Sequence, residues 1–183
     1  MADRFPGNIT LGGTIVIETV EQRERVETAL SMFADACSHD YGEPSYGSIL
    51  IEEIPGMLTD GYLVGKHDQA RYGMFEEAED ALRKAGISYD RHSSASAEYD
   101  AEIVRWRPGM DLPDEQIATD NGDAQIGVDR VQKMIYDILF SKDETPYLDR
   151  IKNFEAAFMA ETGQNVIALE IFKIIDNTPR EYE

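Results

Sequence analysis

Residues 72–109 carry the local pattern that most limits the folds open to this chain, because their periodicity changes from helical to extended within one short stretch. Apolar residues first recur at intervals of three and four, which predicts one apolar face of a helix. The residues on that face are Met74, Phe75, Ala78, Ala81, Leu82 and Ala85. Gly86 predicts the left-handed end of this helix. A hairpin is predicted next, with strands at 87–89 and 99–106 around a polar loop at 92–97.

A second helix is predicted upstream of this stretch. Residues 9–18 have the composition of a strand, and Gly12-Gly13 interrupts them as either a bulge or a two-residue turn. Thr19 then begins a capping box with Gln22, which marks the start of a helix. The apolar stripe of this helix comprises Val26, Ala29, Leu30, Phe33, Ala34 and Cys37. Because Cys37 falls on the stripe, we interpret it as a small core residue and not as a nucleophile.

The order of the elements predicts the fold class. Further strands at 48–54 and 61–65 give the order β-α-β-β-α-β-β. This order predicts an α+β sheet domain at residues 1–109, of the split-βαβ (ferredoxin-like) type with an extra C-terminal hairpin strand. Residues 110–127 are rich in Asp, Gly and Pro and predict an acidic linker, with room for a short helical turn at 114–118.

Residues 128–183 predict a mainly helical C-terminal region. One helix spans 128–140, and Thr145-Pro146 begins another that ends at Gly163. Residues 165–175 fit either a helix or a strand, and the spacing of their polar members favours the helix. The first of these helices should bury an apolar face made of Val128, Val131, Ile135, Ile138 and Leu139. We expect the region to pack on the sheet or on a second copy of the chain.

The net charge of −19, from 36 acidic and 17 basic residues, restricts the partners that the protein can bind. A field of this sign repels nucleic acids and anionic lipids and attracts basic surfaces. The charge serves either solubility alone or contact with a basic partner. The single cysteine rules out an internal disulfide, and the sequence has neither a long apolar run nor a secretory signal, so we expect a cytoplasmic protein.

No motif in the sequence is specific for catalysis, and we expect neither a cofactor nor an enzymatic activity. The segment 61–67 lacks the spacing and the Ser or Thr of a phosphate-binding loop. His39, His67 and His92 each have an aspartate nearby, which keeps a small metal-dependent hydrolase open as one alternative.

The acidic residues form two neighbouring rows. Glu98, Asp100 and Glu102 alternate along a predicted strand and so share one face at intervals of about 6.6 Å. The other row lies on the predicted solvent side of the preceding helix and comprises Glu76, Glu77, Glu79 and Asp80. Together the rows predict a partner-binding surface, with Tyr99 and Trp106 as apolar anchors if they are exposed. The competing interpretation is an edge strand that is charged to prevent edge-to-edge pairing.

These rows, EEAED at 76–80 and EYDAE at 98–102, resemble in type those of small acidic inhibitors carried by phages and mobile elements. The group consists of anti-CRISPR and antirestriction proteins of the nucleic-acid-mimic kind. The resemblance implies a protein that occupies the DNA- or RNA-binding channel of a nuclease complex and blocks it. It transfers no functional residue, because no family motif spans the chain. The alternative is an acidic adaptor or assembly protein that acts through homo-oligomerisation of its C-terminal helices.

Overall fold

A computed structural model of the protein describes residues 4–37, 49–71, 73–96, 99–119, 121–140, 145–163 and 166–178. The fold is mixed α+β, as the sequence predicts. The strands are β1 (Arg4–Gly12), β2 (Thr14–Ile17), β3 (Leu63–Arg71), β4 (Ser88–Ser93), β5 (Ala101–Trp106), β6 (Asp114–Ala118) and β7 (Lys173–Asp176). The helices are α1 (Val20–Ala36), α2 (Ile54–Met57), α3 (Glu76–Ala85), α4 (Val128–Phe140) and α5 (Tyr147–Glu161), with a 3-10 turn at Ile51–Glu53 before α2. No helix within those ranges is long and apolar enough to cross a membrane.

Five antiparallel strands form the main sheet in the order β3-β1-β4-β5-β6. β1 lies between β3 and β4, so that Ile9 is opposite Gly65 on one side and Arg91 on the other. β3 is longer than the strand predicted at 61–65, and β4 extends into the loop predicted at 92–97. The complete ferredoxin-like topology is not confirmed, because β2, the strand that leads into α1, lies outside this sheet.

A small second sheet holds the C-terminal segment against the start of the chain. Gly13 has a φ of +85°, and this turn takes the backbone out of the main sheet. β2 then pairs in parallel with β7, with Ile15 opposite Ile174. The helix favoured for 165–175 is therefore wrong over its described part, which contains no helix and ends in β7. Phe172 explains the difference, because its side chain is buried and its N–H donates to the carbonyl of Gly61 at 2.8 Å.

The strand predicted at 48–54 is also wrong over the residues that the structure describes. Ile51–Glu53 form the 3-10 turn instead, and Ile54 begins α2. Ile51 and Ile54 are both buried, and their spacing of three places them on one side of a helical turn but on opposite faces of a strand. Pro55 occupies the first turn of α2, where its missing N–H leaves no hydrogen bond unmade.

The segment predicted as an acidic linker at 110–127 contributes a strand to the main sheet. β6 occupies 114–118, so the helical turn considered for these residues is wrong. β6 pairs with β5, placing Glu115 opposite Val104. Gln116 and Ala118 are buried while Glu115 is exposed, which is the alternation of a half-buried strand. The division of the chain into a sheet domain and a helical region stays a prediction.

The main core lies between one face of the main sheet and the helices α1 and α3. The capping box of α1 is confirmed, because the Gln22 N–H donates to Thr19 Oγ1 at 3.2 Å. All six residues of the apolar stripe predicted for α1 are buried, including Cys37. The end of α3 is also confirmed, because Gly86 is left-handed with a φ of +74°.

α4 matches the helix predicted at 128–140, and α5 lies within the helix predicted next. The apolar face predicted for α4 is largely exposed within the single chain, however. Val128, Ile135 and Leu139 are 71, 43 and 55% exposed, whereas the buried residue of α4 is Met134. Both helices therefore carry more apolar surface than their packing on the rest of the chain covers.

Candidate functional site

The acidic residues predicted as partner contacts on α3 separate into an exposed and a buried set. The exposed set is Glu76, Glu77 and Asp80. Glu79 is only 7% exposed, so its predicted position on the solvent side is wrong and a partner cannot reach it. The helical repeat gives the reason, because Glu79 lies four residues after Phe75 and three before Leu82, which are both buried.

Glu79 is held by charge and hydrogen bonds inside the protein. Its Oε1 lies 3.0 Å from Arg91 Nε on β4 and accepts a hydrogen bond from the Phe75 N–H at 3.1 Å. The Tyr89 hydroxyl donates to Glu79 Oε2 at 3.3 Å. Burial raises the pKa of Tyr89, so this hydroxyl keeps its proton and remains a donor. Glu79 thus joins α3 to β4 from within.

Glu102 on β5 has an internal partner and an exposed part. Its Oε2 accepts from Arg91 Nη2, so the buried guanidinium lies between a carboxylate from α3 and one from β5. The Glu102 side chain is 32% exposed, whereas that of Arg91 is 3% exposed. Asp80 is similar, because it pairs with Arg83 and keeps a 60% exposed side chain.

The two predicted aromatic anchors have opposite environments. Trp106 is 7% exposed and therefore fails the condition for an anchor. Its ring stacks on Tyr89 at a centroid distance of 6.3 Å, and its Nε1–H donates to the Met110 carbonyl at 3.3 Å. Tyr99 is 43% exposed and stacks on Phe5 at 6.1 Å, so it meets the condition.

The interpretation of the acidic row as an edge strand does not agree with the sheet. β5 pairs with β4 on one side and with β6 on the other, so it has no open edge. Asp100 precedes β5 directly and is exposed. Glu98, the first member of the row, lies outside the described residues.

Two adjoining cavities bring the exposed residues of this region together. One, of about 410 Å³, lies at the start of β5 and is lined by Phe5, Met74, Ser93, Tyr99, Asp100, Ala101, Glu102 and Ile117. The other, of about 460 Å³, lies between α3 and β6 and is lined by Met74, Glu76, Glu79, Asp80, Arg83, Arg91, Glu102, Pro113 and Glu115. Because Met74 and Glu102 line both, the cavities form one continuous surface depression.

We name this depression the acidic groove. Its exposed apolar side chains are Met74, Tyr99 and Ile117, at 37, 43 and 53% exposure. Its acidic side chains at the surface are Glu76, Asp80, Asp100, Glu102 and Glu115. The two arginines that line it already pair with carboxylates of the protein. The groove therefore combines a negative rim with an apolar patch, the chemistry that fits a basic partner bearing an apolar side chain.

Sequence reasoning missed three residues of the acidic groove. Met74 belongs to the predicted apolar face of α3 but lies before the first residue of the helix and is part-exposed. Glu115 and Ile117 were missed because β6 was interpreted as linker. No signal in the sequence identifies that strand, because its polar Gln116 is buried and its apolar Ile117 is exposed.

A second groove, of about 600 Å³, lies between α1 and α3 and adjoins the first through Asp80. Glu77, which lies outside the acidic groove, lines this one together with Glu21 and Glu24. Arg25 and Lys84 also line it, so its charge is more mixed. We therefore regard the acidic groove as the stronger candidate for a partner site.

The groups that could support catalysis are dispersed or inert where the structure describes them. No three His, Cys, Asp or Glu residues in the described ranges lie close enough together to hold a metal ion. Burial raises the pKa of Cys37 to about 12, so its thiol stays protonated at neutral pH. His67 Nδ1 accepts from the Gln69 N–H at 3.2 Å, and His92 Nε2 lies 3.1 Å from the Thr119 carbonyl. His39 lies outside the described residues.

Comparison of the chain with protein-family models, with curated proteins and with solved structures finds no match.

Proposed function

We propose that this protein is a non-enzymatic acidic inhibitor that binds a basic nucleic-acid-binding protein and blocks its access to DNA or RNA. One observation carries the proposal: unpaired carboxylates surround exposed apolar side chains in the acidic groove. Among the residues that the structure describes, Glu76, Asp100 and Glu115 have no basic partner within ion-pairing distance. Their charge is therefore available to a second protein.

The mechanism is competition with nucleic acid for the same basic surface. The net charge of −19 steers a basic protein towards the inhibitor and makes the encounter fast and sensitive to salt. Carboxylates of the acidic groove then take the place of phosphates against Lys and Arg of the target. Met74, Tyr99 and Ile117 supply the apolar contact that lengthens the lifetime of the complex.

The proposed target is a nuclease that holds its nucleic acid in a positively charged channel, such as a CRISPR-associated or restriction nuclease. Such enzymes act on intracellular DNA or RNA, so the proposal places the protein in the cytoplasm. The lone cysteine agrees with a reducing compartment. An inhibitor of this kind needs no cofactor and no catalytic residue.

The test is binding of the full chain to purified RNA-guided and restriction nucleases, with and without their DNA or RNA. We expect binding that nucleic acid prevents and that weakens steeply with salt. The double variant Asp100→Lys/Glu115→Lys should weaken it by at least about tenfold. The control Asp35→Lys/Glu155→Lys changes the net charge equally at exposed positions outside both grooves, and should bind nearly as the wild type does.

Two outcomes would contradict the proposal. Equal losses in the two double variants would show that total charge, and not the acidic groove, governs binding. Tight binding that is indifferent to nucleic acid and to salt would indicate a contact elsewhere on the target.

The adaptor function is the second candidate, and the exposed apolar surface of α4 and α5 favours it. Under this hypothesis the protein works through self-association, and its charge serves solubility. The two candidate functions use different surfaces, the acidic groove and the apolar face of α4 and α5. One protein can therefore bind a basic target and also self-associate.

A further inference from the structure

α4 and α5 expose large apolar side chains at eight positions. They are Val128, Ile135, Tyr136, Leu139, Phe140, Tyr147, Leu148 and Ile151, with exposures between 37 and 71%. In α4, Ile135 and Leu139 are four residues apart, as are Tyr136 and Phe140, so these side chains share one side of the helix. The Tyr136 and Phe140 rings are in contact, with centroids 4.9 Å apart. These four side chains of α4 thus form one apolar patch, and α5 exposes three more at its N-terminal end.

The packing of the two helices leaves this surface uncovered. Met134 and Phe154 line the cavity between α4 and α5, where the helices meet. α5 has no buried residue within Tyr147–Glu161, and Met134 is the buried residue of α4. Gln116 on β6 attaches α5 to the sheet by donating to the Ala160 carbonyl at 3.0 Å. The attachment is at the C-terminal end of α5, far from the exposed residues at its N-terminal end.

We infer that a second copy of this chain covers the exposed face of α4 and α5, so that the protein is a homodimer. This inference does not rest on the inhibitor proposal, because it concerns a different surface and a different physical interaction. Its support comes from charge and from area.

The charge of α4 and α5 favours a like-charged partner over a basic one. The two helices hold four basic and five acidic residues, a net charge of −1, in a chain whose net charge is −19. A basic protein would be drawn instead to the strongly acidic remainder of the surface. Two copies of this chain repel one another over most of their surfaces, and they can approach most closely where the charge is nearly balanced. The four basic residues are Arg130, Lys133, Arg150 and Lys152.

The area of the exposed face is what a stable dimer needs. Aromatic side chains bury roughly 150–250 Å² when fully covered, and five of the eight are smaller aliphatic side chains, so the half-exposed set supplies up to about 800 Å² per copy. Stable protein interfaces bury about this area on each partner. A two-fold axis would place α4 and α5 of one copy on the same helices of the other. The apolar face of each copy would then pack against the apolar face of its partner.

The experiment is sedimentation velocity on the full chain over a concentration range. We expect twice the chain mass of 20.6 kDa at about 50 µM, and dissociation on dilution. Salt should strengthen the dimer, because it screens the repulsion between two chains of charge −19. This dependence is opposite to that of the proposed binding to a basic target. Failure of one proposal is thereby distinguished from failure of the other.

Matched variants locate the interface. Leu139→Lys/Leu148→Lys should weaken the dimer by at least about 100-fold, because each copy would bury two charges. Both positions are exposed, so the variant should fold, which circular dichroism checks. The control Leu112→Lys/Ile167→Lys makes the same chemical change at side chains 77 and 73% exposed and should leave the dimer intact.

Either of two results overturns the inference. The wild-type chain could sediment at the mass of a single chain at every concentration up to about 200 µM, where an interface of this size should be occupied. Alternatively, Leu139→Lys/Leu148→Lys could leave a wild-type dimer intact, which would place the interface on another surface.

Discussion

The Glu79 carboxylate and the Arg91 guanidinium form a buried ion pair beneath the acidic groove, with Oε1 and Nε 3.0 Å apart. Arg91 also binds Glu102, so one guanidinium links α3, β4 and β5. Buried charges are costly to desolvate unless they remain paired. Removing one partner would therefore leave an uncompensated charge buried beneath the groove.

Removing Glu79 should destabilise the fold much more than removing its exposed neighbour. Glu79→Ala leaves Arg91 with one carboxylate and also removes the acceptor of the Phe75 N–H, so we expect a loss of about 3–5 kcal/mol in the free energy of unfolding. Glu77→Ala removes an equal charge from the same helix at an exposed site and should change it by about 0.5 kcal/mol or less. Urea unfolding of both variants measures the difference. Equal losses would show that the buried pair contributes little.

The helices that the sequence predicts well are those whose ends are determined locally. The capping box of Thr19 and Gln22 starts α1, and Gly86 ends α3 by its own left-handed conformation. The stripe that Cys37 completes is also local, because it needs only the helical repeat. These features can be identified without knowing where the rest of the chain lies.

The strands that were missed depend on partners far away in sequence. β7 is a strand because Ile174 lies opposite Ile15, and no local pattern near β7 contains that information. β6 has a polar composition and is ordered by pairing with β5, with Gln116 opposite Ile103. The exposure of the α4 face could not be predicted for a related reason, because a helical stripe identifies an apolar side but not whether this chain or another one covers it.

The acidic character of the candidate site could be predicted from the sequence, but which of its side chains are exposed could be predicted only in part. Glu76 and Asp100 are exposed near one groove, in keeping with the acidic rows. Glu79 is buried because it lies on the side of α3 that faces the core. Trp106 is buried because it lies on the same face of β5 as Val104, which belongs to the core. Exposure at these positions depends on what packs over each face, and the spacing of acids does not reveal that.

Trp106 should report a buried environment that a partner does not alter. It is the only tryptophan, so fluorescence excited at the long-wavelength edge of the protein absorption, where tyrosine absorbs little, comes from this residue alone. We expect native emission at shorter wavelength than in urea, and weak quenching by acrylamide, because the ring is covered by Tyr89. Quenching as strong in the native protein as in urea would contradict the burial and would restore Trp106 as an anchor.

His67 should titrate below its ordinary range. Burial lowers its pKa below 6.5, the nearby Arg4 lowers it further, and Asp68 opposes them. Because the folded pKa is depressed, the unfolded chain binds more protons near and below pH 6.5, and this residue's contribution to stability falls as the pH falls. The Gln69 N–H, which donates to His67 Nδ1, would also lose its acceptor on protonation.

Two measurements check this prediction. An NMR titration should give His67 a pKa below 6.5. The stability of His67→Gln relative to the wild type should rise as the pH is lowered through that range, because glutamine cannot be protonated there. A pKa at or above 6.5 with a pH-independent stability difference would contradict the assignment.

Gly12 should be intolerant of a methyl group because the C-terminal segment crosses it. A Cβ at Gly12 would overlap the Glu170 carbonyl oxygen and the Leu169 side chain, and a backbone carbonyl cannot rotate away. We expect Gly12→Ala to cost about 1–3 kcal/mol in the free energy of unfolding. The control is Gly56→Ala in α2, where an added Cβ meets nothing within 4 Å and alanine favours the helix.

In Gly12→Ala, the loss of stability should be concentrated where the C-terminal segment contacts the start of the chain. The Gly13 N–H donates to the Glu170 carbonyl at 2.8 Å, and the Lys173 N–H donates to the Gly13 carbonyl at 3.0 Å. In Gly12→Ala these two amides should exchange hydrogen faster, while the amide of Val104 in the core of the main sheet should not. Uniform acceleration across all three amides would mean that the contact supports the whole fold. Unchanged exchange together with unchanged stability would mean that the segment does not press on Gly12.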